Sequence, residues 1–148
     1  MCQASRTDCQ CGNHYAVLHF GDNLLPENVV RAVYCPECSG GVEFDADSML
    51  MDNGWLIDFE IEGARLFAPQ MGVEAEEVTP EFVFDKGYCS WVGYTPTDQE
   101  DSFKEKEAII ELAKTDRARY FQELRDWSIN RVSQLSDAGW RKARLAAQ

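Results

Sequence analysis

Cysteines fall in two tight pairs near the start of this 148-residue chain: Cys9-Gln10-Cys11-Gly12-Asn13-His14, then Cys35-Pro36-Glu37-Cys38 ahead of Ser39-Gly40-Gly41, with 23 residues between Cys11 and Cys35. No other feature constrains the fold as strongly. Two thiolates two or three positions apart can grip one metal ion from a single turn, and two such turns complete a tetrahedron. Glycine after the first pair permits a left-handed turn that aims backbone N–H groups at sulfur, and Pro36 stiffens the second turn without needing a donor. Buried free thiols pack as small hydrophobes and have no reason to fall in two such pairs. Cys2 and Cys89 lack a close partner and read as a terminal thiol and a strand thiol.

Cys9, Cys11, Gly12, Cys35, Pro36 and Cys38 resemble a zinc ribbon, a family in which two short cysteine knuckles at the ends of β-hairpins clasp one zinc. The commoner first knuckle has two residues between its ligands, whereas this one has Gln10 alone. Two ligand sets are therefore open. Cys9, Cys11, Cys35 and Cys38 make an all-thiolate site; Cys11, His14, Cys35 and Cys38 restore the two-residue gap in both knuckles. The first is favoured, because His14 leads straight into a strand, where a histidine serves equally well as a donor to sulfur. Four protein ligands make a closed, structural zinc site, while catalytic zinc keeps a position for water. The knuckles, with Tyr34 before the second, are also similar to those of the zinc-bearing gamma subunit of acetone carboxylases. That likeness is confined to the knuckles and implies a small zinc-bearing component of a larger enzyme assembly. Iron is the alternative metal: four thiolates around one iron, as in rubredoxin-like sites, make an electron carrier.

Between the knuckles, Tyr15–Phe20 and Val29–Tyr34 read as strands separated by Gly21-Asp22-Asn23 and Pro26-Glu27-Asn28, the hairpin expected between two metal turns. Val42-Glu43-Phe44 is predicted as a third strand. Trp55, Ile57, Phe59 and Ile61 alternate with Asp58, Glu60 and Glu62, which predicts a strand with one wet face, opened by an Asn53-Gly54 turn. Glu81–Phe84 and Cys89–Tyr94 flank Asp85-Lys86-Gly87 and predict an aromatic hairpin. The carboxylates of Asp58, Glu60 and Glu62, or of Glu74, Glu76 and Glu77, are what an acid/base pair or a cation site would need; a solvated acidic face explains both rows more simply.

After Pro96 the composition turns to Glu, Lys, Arg, Ala and Leu without proline. Thr97-Asp98-Gln99-Glu100 fits a capping box, and Ile109, Leu112, Ala113, Phe121, Leu124, Val132 and Leu135 recur near the helical period, with Trp127 and Trp140 widening the stripe. A single helix from Asp98 to Ala147 would run about 75 Å, too long for a small domain, so a break is expected at Ser136 and Gly139 or at Thr115-Asp116. The predicted fold is α+β: an antiparallel, zinc-ribbon-like β domain over residues 1–96, then a helical extension over 97–148.

Charge separates the same two regions. Residues 1–96 hold four Lys/Arg against 16 Asp/Glu, a net of −12, whereas residues 97–148 hold ten of each. Four thiolates around a divalent ion add about −2 to the first region, which repels phosphate and argues against a nucleic-acid regulator. The basic end, Arg141, Lys142 and Arg144, suits an acidic partner surface or the chain's own acidic half. No stretch is apolar enough to span a membrane, and Met1–Asn13 lack the apolar run of a signal peptide, so a reducing cytoplasm is the expected location. Nucleophile elbows, phosphate loops and metal-hydrolase helices are missing from the sequence, and His14 and His19 are its only histidines. The expectation is a small non-catalytic zinc-binding accessory or scaffold subunit, docking onto other protein subunits through an aromatic β surface and the C-terminal helices.

Overall fold

The computed structural model describes residues 3–147, and of Gln3 the backbone only. It is α+β and divides into two compact units, residues 1–92 and 93–148.

The first unit holds two three-stranded antiparallel sheets. β1 (Gln3–Asp8) and β2 (Tyr15–Phe20) form a hairpin running from Gln3↔Phe20 to Asp8↔Tyr15, and β6 (Ser90–Trp91) closes the other edge of β2. β3 (Val30–Tyr34), β5 (Trp55–Phe59) and β4 (Met49–Asp52) make the second sheet in that spatial order. β2 alternates as a one-faced strand should, burying Ala16, Leu18 and Phe20. Asn53 and Gly54, both at positive φ (52° and 91°), make the two-residue turn that right-twisted strands favour, and Asp52 pairs with Trp55 across it.

Short helices complete the unit: α1 (Pro36–Ser39), α2 (Ile61–Arg65), α3 (Ala68–Met71) and α4 (Pro80–Asp85). Its centre is Trp91. The fully buried ring meets Trp55 and Phe84 edge-on at centroid separations of 6.2 and 5.7 Å, and its Nε1–H donates to Asp52 Oδ2 at 2.7 Å. One side chain thereby joins β6 of the first sheet to both strands of the β4–β5 hairpin and to α4.

Several expectations are corrected here. The strands flanking the loop between the knuckles do not pair with each other: β2 and β3 belong to different sheets. Val42–Phe44 is not a strand; the strand of that region is β4. β5 has no wet face, because as the central strand it buries Leu56 as well as Trp55, Ile57 and Phe59, and Ile61 already belongs to α2. Glu81–Phe84 is helical, since Thr79 Oγ1 accepts the Phe82 N–H at 3.1 Å and Pro80 occupies the first helical position; no aromatic hairpin forms. Of its aromatics, Phe84 and Trp91 lie in the core, while Phe82, Tyr88 and Tyr94 are half-buried.

The second unit is helical: α5 (Asp98–Leu112), α6 (Arg117–Asp137) and α7 (Arg141–Ala146). The helix breaks at both of the candidate positions, where one was expected. Asp116 caps α6 by accepting the Arg119 N–H at 3.1 Å. Gly139, at φ 98°, ends α6 in a Schellman turn, with Trp140 N–H on Leu135 O at 3.1 Å and Gly139 N–H on Ser136 O at 3.0 Å. The capping box at Thr97 does not form; the Thr97 hydroxyl donates instead to the Asp101 carboxylate. α5 and α6 run antiparallel and are tied by charge: Arg131 of α6, buried, reaches the carboxylates of Asp98 and Glu105 on α5 and stacks 5.4 Å from the Trp127 ring. Among the described residues no helix is long and apolar enough to cross a membrane.

Candidate metal centre

The first knuckle is the loop of the β1–β2 hairpin. Cys9 N–H donates to His14 O at 2.9 Å, extending the ladder one step past Asp8↔Tyr15, and Gly12 N–H returns to Cys9 O at 2.9 Å. This tight turn leaves Gly12 at φ 74°, a conformation that costs glycine nothing and other residues strain. The second knuckle is the start of α1. Cys35 is its N-cap residue, Pro36 follows with its fixed φ, and Cys38 and Ser39 N–H groups both donate to Cys35 O at 3.0 and 2.9 Å.

Two contacts fix this turn. Ser39 Oγ donates to Gly54 O at 2.7 Å, and Pro36 packs so closely on Gly54 that a Cβ there would stand 3.1 Å from the proline ring. The β4–β5 turn is thus the seat of the second knuckle. Between the knuckles, the Cys35 N–H donates to Cys9 Sγ at 3.3 Å.

These turns bring Cys9, Cys11, Cys35 and Cys38 together, with all four sulfurs within 4.8 Å of one another. Cys9 and Cys35 are buried, and Cys11 lies at the exposed rim. Zinc–sulfur bonds of about 2.3 Å give a tetrahedron with edges near 3.8 Å, and the Cys11–Cys35 sulfurs stand 3.9 Å apart. The donor set therefore fits a four-thiolate metal ion.

Its protonation chemistry points the same way. Cys11 is pulled down to about 6, first by the His14 ring beside its sulfur and then by the Asn13 N–H. Burial opposes ionisation of Cys9, but the Cys11 and Cys35 backbone N–H groups outweigh it and lower the thiol. Burial raises Cys35, and hydrogen bonds with the Cys9 and Cys35 sulfurs push Cys38 up to about 12. Four sulfurs in so small a space cannot all ionise alone; a divalent cation removes that conflict.

His14 lies outside the sulfur cluster. Its Nδ1 is 3.7 Å from Cys11 Sγ, the Cys11 thiolate raises its pKa, and its ring meets Trp55 edge-on at 6.4 Å. It stands where a donor to sulfur belongs, and it links the cluster to the Trp55–Trp91 core. Sequence reasoning missed Trp55, Gly54 and Ser39 as supports; the Asn53-Gly54 dipeptide was the available signal, but nothing local said that its turn would meet Pro36.

The other residues singled out do other work. Cys89 is buried in the core away from the cluster, and Cys2 lies outside the described residues. His19 sits on β2 opposite Ala4 and Ser90. Asp58 and Glu60 flank Arg31 at 3.8 and 3.6 Å, and Glu62 pairs with Arg65 at 2.7 Å, so this row does not converge as an acid/base pair. Glu74 and Glu77 close a capping box around one 3-10 turn, with the Glu74 N–H donating to Glu77 Oε2 at 2.8 Å. Comparison of the chain with protein-family models, curated protein sequences and solved structures finds no match to any of them.

Proposed function

We propose that Cys9, Cys11, Cys35 and Cys38 hold one zinc ion, and that the chain is a small non-catalytic zinc-binding scaffold or accessory subunit of a larger protein assembly. The observation that carries the reading is the convergence of four sulfurs from two backbone-locked turns, one joining β1 to β2 and one leading from β3 into α1. Four protein ligands leave zinc no position for water or substrate, so the metal's contribution is to pin the β1–β2 hairpin to the β3–α1 turn. His14 holds the Cys11 sulfur from outside. Docking falls to the helical unit, whose large apolar side chains remain exposed.

Elemental analysis of protein purified without added metal is the test, expected to give one zinc per chain. Cobalt substitution adds the ligand set: Cys9→Ser should remove about a quarter of the sulfur-to-cobalt charge-transfer absorption, the share of one thiolate in four, while His14→Ala leaves it. Unchanged charge-transfer absorption in Cys9→Ser, with His14→Ala altering the cobalt d–d bands, would assign His14 in place of Cys9, and absence of bound metal would refute the proposal. Iron is the second reading, favoured by the exposure of Cys11, which would bring a sulfur of the cluster to the surface for electron exchange. Iron-loaded protein is red, and zinc-loaded protein colourless.

A further inference from the structure

The helical unit has almost no interior of its own. α5 buries no residue, α6 buries only Arg131 and α7 only Ala143. Helices of this length draw most of their stability from packing an apolar face, and here that face is outside. Phe103 (57% exposed) and Ile110 lie seven residues apart on α5; Phe121 (63%) and Ile129 (58%) lie eight apart on α6, with Val132 beside them. At about 100° per residue, the α5 strip is turned about 140° and the α6 strip about 100° from the side its helix presents to the other, marked by Ile109 and Leu112 on α5 and by Leu124, Arg131 and Leu135 on α6. Because the helices are antiparallel, the two rotations bring both strips to the same side of the hairpin. At the α6–α7 end, Ile129, Val132, Ser133, Ser136, Asp137 and Ala147 line a groove of about 390 Å³ on it.

Charge selects what covers this face. α5 carries six acidic and two basic residues, and α6 with α7 carries seven basic and three acidic. We propose that the occupant is a second copy of this chain, joined face to face about a two-fold axis parallel to the helices. That operator lays α5 of each copy antiparallel on α6 of the other, so net negative meets net positive twice, in a four-helix bundle. A two-fold axis across the helices would set α5 on α5 and oppose like charges. Arg131 lies level with Glu105 within the hairpin, so the axis also sets the register. Phe103 of one copy meets the Ile129–Val132 groove of the other, and Ile110 meets Phe121.

This inference rests on the scaffold reading for the choice of docking face and is independent of the metal. Sedimentation equilibrium of the full chain, with metal content measured on the same samples, is expected to give twice 16.8 kDa. Phe103→Glu with Ile110→Glu should yield monomers, as should Phe121→Lys with Ile129→Lys. Mixed in equal amounts, the two variants should recover the dimer mass, because the acidic α5 of one then faces the basic α6 of the other. A wild type that stays monomeric into the high micromolar range overturns the proposal, as does a dimer indifferent to both variants or a mixture that stays monomeric. A dimer without bound metal would overturn the zinc reading alone; metal-loaded monomers would overturn the dimer alone.

Discussion

The two units use opposite means of staying folded. Every buried apolar side chain among the described residues except Pro96 and Ala143 belongs to the first unit, which is layered around Trp91 and carries the sulfur cluster. The helical unit is held by an arginine between two carboxylates and by its caps, and it shows Phe103, Phe121 and Ile129 to solvent. On the proposed reading, a chain that places its core residues in the unit carrying the sulfur cluster and leaves a helical hairpin open separates holding a metal from meeting a partner.

Metal removal should break that contrast most sharply. Zinc at a thousand times its dissociation constant stabilises a site that binds only when folded by about 4 kcal/mol. Chelation, or Cys35→Ser, should cost the first unit an amount of that order, visible as loss of the cobalt charge-transfer bands and of the near-ultraviolet signal of Trp55 and Trp91. Far-UV circular dichroism of the helices should change much less. Equal loss in both signals would show that the units fold as one.

The converse experiment targets Arg131. Arg131→Met takes from Asp98 and Glu105 the cation they share, leaving Asp98 the charge of Lys142; removing one member of a buried ion pair costs 3–5 kcal/mol, and the low end, about 3 kcal/mol, applies because Glu105 is half exposed and Lys142 remains. The helical signal should melt earlier while the cobalt bands hold their midpoint. Unchanged helical stability would mean that the charge cluster fixes helix register rather than holding the hairpin together.

How much of this was legible in the sequence follows from how local each signal is. Cysteine pairs with their glycine and proline, the Asn53-Gly54 turn, the strand at Tyr15–Phe20 and the two candidate helix breaks depend on a few neighbouring residues, and all correspond to features of the structure. Partnership between strands does not. β2 and β3 look like a hairpin because they are consecutive strands with turn residues between them, but Trp91 and the knuckle contacts pull them into separate sheets. Glu81–Phe84 carries strand-forming aromatics, yet Thr79 and Pro80 start a helix, and burial of Val83 and Phe84 against the core pays for it. At the candidate site the cysteines were readable, whereas the supports at Ser39, Gly54 and Trp55 come from a hairpin that meets the knuckle only in three dimensions.

The smallest effect concerns a carboxylate of the first unit that, unlike Asp52 beneath Trp91, lacks a close donor. Asp58, on the central strand, has a side chain only 17% exposed; its Oδ1 accepts no hydrogen bond, and the nearest cation, Arg31 Nε, is 3.8 Å away. Burial raises its pKa above the ordinary 3.8, with Arg31 only partly opposing the shift. A carboxyl raised in the folded state contributes most to stability when it is neutral, below 3.8, and that contribution fades as pH rises through the folded value. Asp58→Asn, which cannot ionise, should therefore stabilise the first unit at pH 7 by less than about 1 kcal/mol, since the loosely held Arg31 pair is lost with it. The gain should vanish near pH 4 in unfolding curves followed by Trp55 and Trp91. Destabilisation at pH 7 would show instead that the Arg31 pair outweighs the burial of the charge, so that even the apolar unit relies on an ion pair.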